Sequence, residues 1–487
     1  MKSKIIILCF CLLGLQFIAL GNISAQVEFS QELFEELAEN TNEIPWIEIP
    51  DYEKIVLDNG MTVYLAEDHE MPVVQIFGYI KGGISQETIE LAGISQFLVR
   101  MMNTGTKNYS EEEFAYYKER YGINFSVYSS NDYFGYRGNA LIFDQEELIK
   151  LAAEVLQHPS FDTPYYQRTK YFLYNNYQQT KADDDYLAAV NFYKNLYKDH
   201  PYAYSSDVDL LLSTLNNITP ASLEEFHKQN FTPANLILGL VGDIDIAEIK
   251  KMVKEYFADW QGREVVLQEA ELQAAPDNWG KIIIIDKPDA TQARIKMGYL
   301  FKDNSFLERV PFNIANSVFG GGDFESRLME KLRSEMGYVY NIGSYVRYNK
   351  LAGDFIIDTN VRPQKACETI EMVKGIMNSI KDGSQAIKDK EVYKIINRWN
   401  AHYPQNYRYI EDVFISIIYN IELMNRDVDY INKYVEEYNK VDGQQAQEVF
   451  VEYTYPERFL TVIVGKKEDI LPTFKEKGID VEVVSIN

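Results

Sequence analysis

Over residues 92–106 the chain reads AGISQFLVRMMNTGT, with Ile94, Phe97, Leu98, Met101 and Met102 at i, i+3, i+4, i+7 and i+8. That spacing predicts a short amphipathic helix with a small-residue lead-in and a Gly-Thr stop, and it turns Gln96, Val99, Arg100 and Asn103 to the opposite face. The same periodicity predicts helices over 110–121, 145–157 and 163–181. Upstream, EKIVLDNGMTVYLAED is two strand-like runs around an Asn-Gly pair, the strongest short hairpin signal, and PVVQIFGYIKGG follows as a strand. NLILGLVGDID reads as a buried strand and IAEIKKMVKEYFADW as the helix after it.

From 263 to 278, REVVLQEAELQAAPDN loses periodicity and reads as a linker, after which the order repeats. GKIIIIDKPD and ARIKMGYLF are strands, PFNIANSVFGG and FESRLMEKLRSEMG helices, YVYNIGSYVRY and GDFIIDTNV strands, and KACETIEMVKGIMNSIKDG a helix. RFLTVIVGKKEDI then closes the chain as NLILGLVGDIDI closes the first stretch. A period of roughly 210 residues is too long for a solenoid. It predicts an α+β chain of two homologous domains, 46–262 and 279–487, each an antiparallel-rich sheet packed with helices and facing the other.

The first 25 residues stand outside that fold. Lys2 and Lys4 precede an apolar run from Ile5 to Leu20 and the small residues of NISA, the layout of a cleaved export signal. Residues 26–45 form an acidic, helix-prone arm, and no later stretch is long and apolar enough to span a membrane. Loss of the signal also removes Cys9 and Cys11, leaving Cys367 as the only thiol. That excludes an intrachain disulfide and a cysteine zinc site, reads as a small buried apolar residue, and favours a bacterial periplasm. The formal charge of −25 becomes two units more negative without Lys2 and Lys4, which disfavours nucleic acid and anionic lipid and suits neutral or basic partners.

Other candidate chemistry is sparse. His69, His158, His200, His227 and His402 are scattered, with no pair at i, i+4, and read as surface or capping histidines. Asp183 to Asp185 reads as a solvated acidic loop, and Gly320 to Gly322 as a close backbone approach before a helix.

Five fragments in order resemble the pitrilysin/insulinase family of zinc peptidases, which includes mitochondrial processing peptidase: LDNGMTVYLAED, AGISQFLVRMMNTGTKNYS, KDHPYAYSSDV, FTPANLILGLVGDID and GGGDFESRLMEKLRSEMGYVYNIGSY. The resemblance covers nearly all of the chain after the signal, matches the short two-domain members, and implies a clamshell around a chamber. It also aligns the inverted zinc motif H-x-x-E-H with Gln96, Val99 and Arg100, and the third ligand, a Glu, with Asn176. These residues cannot replace the originals. Gln is a poor zinc ligand, Val offers no donor or base, and Arg is cationic with no free lone pair. By Coulomb's law at an effective dielectric of 20, Arg against Zn²⁺ at 4 Å costs about 8 kcal/mol. No metal is therefore expected in this chain, and no peptidase activity of the chain alone.

The second half keeps LRSEMGYVY, which resembles the family's substrate-clamping Arg/Tyr pair and aligns it with Arg333 and Tyr340. By that resemblance the two reach a zinc-bearing active site and stabilise the substrate carbonyl, as oxyanion donors do. A helix-end cation before a Gly337 stop, and a strand aromatic, are their plainer readings. The resemblance implies an inactive subunit of a heterodimeric peptidase whose homologous partner carries the zinc and whose substrate is a peptide. A stand-alone exported peptide-binding module, capturing chains on a sheet edge, or a structural subunit is the alternative.

Overall fold

In the computed structural model of the protein the first hairpin forms at the Asn-Gly pair. β1 (Glu53–Val56) and β2 (Thr62–Glu67) run antiparallel, and Gly60 takes a φ of 89° that a Cβ would strain. The structure describes residues 45–485 apart from 182, 263–266, 268–271, 273–275 and 323. The predicted signal, nearly all of the arm and most of the linker therefore lie outside the described residues.

β3 (Val73–Lys81), β4 (Asn124–Ser129), β5 (Tyr133–Leu141) and β6 (Leu236–Gly242) complete a six-stranded sheet in the order β1-β2-β6-β3-β5-β4. β2 and β6 are parallel and the other neighbours antiparallel. Every residue of β6 is buried, as its unbroken apolar run requires. The second sheet comprises β7 (Ile282–Asp286), β8 (Ala293–Phe301), β9 (Val339–Arg347), β10 (Gly353–Val361), β11 (Leu460–Gly465) and β12 (Glu482–Ser485). Its order is β12-β7-β11-β8-β10-β9, so five strands repeat the order and directions of the first sheet. Thr62 and Ile282 open one equivalent pair and Tyr133 and Gly353 another, an offset of 220 residues each time, slightly longer than the sequence suggests.

The first half carries α1 (Ile94–Met102), α2 (Glu111–Arg120), α3 (Gln145–Gln157), α4 (Thr163–Thr180), α5 (Asp184–Tyr197), α6 (Val208–Thr214), α7 (Pro220–Asn230) and α8 (Ile246–Phe257). The second carries α9 (Arg309–Asn316), α10 (Ala366–Lys381), α11 (Asp389–His402), α12 (Ile410–Ile418), α13 (Tyr430–Lys440), α14 (Gly443–Tyr453) and α15 (Lys467–Glu476). Two helices cross between halves and close the clamshell. α5 buries Leu187, Ala188, Phe192 and Leu196 against Ile283, Ile285, Val462 and Val464 of the second sheet. α12 buries Phe414 and Ile418 against Tyr64, Phe77, Tyr79 and Val241 of the first. Gly239 makes room for this, since a Cβ there would stand 2.9 Å from Ile418 Cδ1 and 2.6 Å from the Phe77 ring.

Polar contacts fix the crossings. Asp183 to Asp185 is solvated but forms a helix start rather than a loop: Asp183 Oδ1 caps α5 at Tyr186 N (2.8 Å), Asp184 pairs with Lys287, and Asp185 with Arg294 at 2.6 Å. The phenol of Tyr197 donates to the fully buried Asp354 carboxylate at 2.6 Å, which Arg347 also grips. The histidines divide. His200 accepts from Tyr202 N at a helix start, whereas His227 is no surface residue: it lies in the core 3.0 Å from the Leu156 carbonyl, where burial pushes its pKa down to about 4. Cys367 is buried as expected.

Because each sheet depends on a helix from the other half, the two should unfold together. Phe414→Ala leaves a cavity on the first sheet and should cost about 3–5 kcal/mol. Urea denaturation followed by circular dichroism and tryptophan fluorescence checks this. A single coincident transition at lower midpoint is expected, and separate transitions would show that the halves fold independently.

Candidate functional site

α1 begins at Gly93, whose φ of 90° and packing, with a Cβ 2.7 Å from Leu211 Cδ2, leave no place for a side chain. The buried carboxylate of Glu87 accepts from Gly93 N (2.7 Å) and Ser95 N (2.9 Å), so it caps the helix with a negative group at the positive end. Burial outweighs those two donors and pushes its pKa up to about 7. At the other end, Asn103 exchanges hydrogen bonds with Val127 of edge strand β4, donating to its carbonyl and accepting from its N–H. α1 is therefore anchored at both ends.

Between these anchors the four aligned positions behave differently. Val99 turns into the core and does not share the exposed face with Gln96 and Arg100. Gln96 accepts a 2.5 Å hydrogen bond from the Tyr177 hydroxyl of α4. The Arg100 guanidinium lies 3.5 Å from the ring centroid of Phe172, also on α4, and desolvation lowers its pKa without discharging it. Asn176 is exposed on α4, one turn after Phe172 on the same face. The structure thus brings Gln96, Arg100 and α4 together, but through aromatic packing and a phenol.

The donor set does not fit zinc. An amide already hydrogen-bonded, a valine in the core and a guanidinium provide no trio of His, Cys or carboxylate ligands, and among the described residues no such group converges anywhere.

Arg333 and Tyr340 are brought together. Residues 329–335, predicted as an ordinary helix, form a wider π-helical turn, a form frequent at functional sites. Gly337, with φ 62°, ends it by donating to the Arg333 carbonyl at 3.1 Å, as the expected stop residue. The guanidinium of Arg333 lies over two rings, Phe324 at 4.4 Å and Tyr340 at 5.3 Å. Tyr340 is 83% exposed on β9, at the sheet edge, where Tyr340 and Asn341 form a bulge opposite Asn360. Gly320 approaches the same strand so closely that a Cβ would stand 2.7 Å from Ser344 Oγ.

Sequence reasoning missed Glu87, Phe172, Tyr177 and Phe324. Phe172 alone had a local signal, its i, i+4 relation to Asn176; the others depend on contacts between elements.

A duplicated α+β clamshell of two six-stranded sheets defines the class, a two-domain metallopeptidase scaffold. The chain belongs to the insulinase (M16) peptidase family, as models of that family match residues 62–206 (Insulinase, Peptidase family M16) and 217–398 (Peptidase M16 inactive domain). An uncharacterized zinc protease of Rickettsia bellii is 23% identical over 423 residues, 86% of this chain and 92% of that one. A non-peptidase homolog, YmxG, of Helicobacter pylori is 25% identical over 291 residues, 59% of this chain and 65% of its own. Among solved structures, a peptidase M16 inactive domain from Pseudomonas fluorescens has TM-score 0.77 at 20% identity, covering 85% of this chain and 98% of that one. The first half of the periplasmic protease PqqL from Escherichia coli has TM-score 0.68 at 15% identity, covering 91% of this chain and all of that one.

Two buried groups should shape acid stability with opposite signs. Glu87, raised from 4.5 to about 7, contributes stability that is present below 4.5 and lost as pH rises through 7. His227, lowered from 6.5 to about 4, contributes stability that is present above 6.5 and lost as pH falls through 4. Each contribution is about 3 kcal/mol, so they offset one another in the intact chain. Urea midpoints at a series of pH values should show Glu87→Gln weakening relative to the parent on acidification, and His227→Gln weakening on alkalinisation from pH 4.5 to 7. Parallel profiles for the two variants would refute the assignment.

Proposed function

We propose that this chain is the inactive subunit of a heterodimeric M16 peptidase, pairing with a homologue that holds the zinc and contributing Arg333 and Tyr340 to peptide cleavage there. The observation that carries this reading is the contrast between its two halves. The aligned zinc positions are packed with non-ligands, while Arg333 and Tyr340 stay paired and presented on an edge strand. The names non-peptidase homolog and inactive domain among its relatives support the same division of labour. The basic start and apolar run of residues 1–25 support export, to the periplasm in preference to secretion. Among the described residues no helix is long and apolar enough to cross a membrane.

The two side chains suit the task. The guanidinium is a fixed cation, and the Tyr340 ring beneath it limits its rotation while leaving the phenol O–H at the surface. Directed at a carbonyl whose oxygen gains charge as it is attacked, the two would stabilise the transition state more than the ground state.

Reconstitution with a zinc-bearing homologue tests this. The purified chain alone should carry no stoichiometric zinc by metal analysis and should not cleave peptides. In the complex, Arg333→Ala and Tyr340→Phe should each lower kcat by about 10²–10³ with little change in KM, while size exclusion shows intact assembly. Lys at position 333 should rescue only partly, since an ammonium lacks the planar fork. Unchanged kcat in an intact complex would reduce this subunit to a wall, and failure to pair with any zinc-bearing homologue would leave a stand-alone peptide-binding module.

A further inference from the structure

The replaced metal position has an unpaired charge. Among the described residues no carboxylate stands within ion-pair distance of Arg100, whose guanidinium lies on the Phe172 ring. A cleft of about 340 Å³ opens beside it, lined also by Thr104, Glu111 and Arg168. Glu111, the acidic residue in that lining, is already held by Arg168. The Thr104 hydroxyl is turned away to the Arg100 carbonyl at 2.9 Å. The cleft thus has one uncompensated positive charge in a chain whose formal charge is −25.

Stacking makes that charge a directed one. A guanidinium flat on a ring keeps its N–H donors in its own plane, where a carboxylate can accept two of them side by side. The ring also excludes water from one face, which strengthens the attraction. Phe172 remains 45% exposed, so α4 offers apolar contact beside the cation.

We infer that the Arg100–Phe172 cleft is a carboxylate receptor for bound peptides, set where the family places a metal ligand. The inference rests on the reading that this chain handles peptides, and it names their class. The acidic chain repels polyanions, so the receptor selects neutral or basic peptides that present a single carboxylate, either a C-terminus or one Asp or Glu side chain.

Titration calorimetry on the isolated chain separates these sources with three versions of one Lys-containing, otherwise neutral peptide. The first is blocked at both ends and carries one Glu, the second has Gln in its place, and the third is the Gln peptide with a free C-terminal carboxylate. The Glu or the free-carboxylate peptide should bind about tenfold to a hundredfold more tightly than the blocked Gln peptide, and whichever gains identifies the source. Arg100→Gln should abolish the gain, and Arg100→Lys should keep part of it. Arg168→Gln should also reduce it, because it leaves Glu111 as an unneutralised anion in the lining of the cleft. Thermal melts of each variant check folding. A gain that survives Arg100→Gln, three peptides that bind alike, or no binding by any of them would overturn the inference. Those outcomes leave the Arg333 and Tyr340 kinetics of the complex as a separate test of the subunit reading.

Discussion

Each sheet in this protein has two apolar faces, and its own half covers one. The first sheet presents Tyr64, Phe77, Tyr79, Ile237 and Val241 on the far side, a surface too large to leave in water. The second presents Ile283, Ile285, Ile356, Val462 and Val464. α12 covers the former and α5 the latter, so each half completes the other's core. The described residues between 45 and 485 consequently form one compact unit despite the duplication. The positions on α1 and α4 and the Arg333–Tyr340 pair then belong to one body, and their relative placement does not depend on the linker between halves.

That exchange also explains what could be read from the chain. Elements whose fate is decided locally were legible: α1 through its i, i+3, i+4 repeat, the first hairpin through Asn59–Gly60, and β6 through its apolar run. β5 was not, because Gly135 and Gly138 interrupt its pattern; at Gly138 a Cβ would stand 2.5 Å from the Asn124 carbonyl. Asp183 to Asp185 looked like a loop without partners because Lys287 and Arg294 lie a hundred residues on in the other half. His227 looked exposed because the carbonyl that satisfies it belongs to α3. Long-range partners leave no periodic trace.

The candidate site divides in the same way. The ligand chemistry of the aligned side chains was legible, since it belongs to single residues: no neighbour makes a valine a base or a guanidinium a zinc ligand. The partners of those side chains were not legible. The Tyr177 hydroxyl on Gln96 and the Phe172 ring under Arg100 come from a helix more than seventy residues away, and neither residue type announces such a role. The pairing of Arg333 with Tyr340 lay between these cases: the family resemblance suggested it, and the π-helical turn and edge-strand bulge, invisible to a helix or strand template, produce it.

The residues at three of the aligned positions on α1 make physical sense as a set. Position 99 lies in the core at 9% exposure, and a carboxylate there without a metal beside it would carry a desolvation cost that valine removes. Position 96 faces the Tyr177 phenol, and an amide oxygen satisfies that donor at no cost in charge. Position 100 is different. It is open enough to keep a cation hydrated on one side and apolar enough on the other to seat it on a ring, so a charge that would exclude zinc is stable there without a partner. A guanidinium with free donors beside a cleft is placed for something negative to come and meet it.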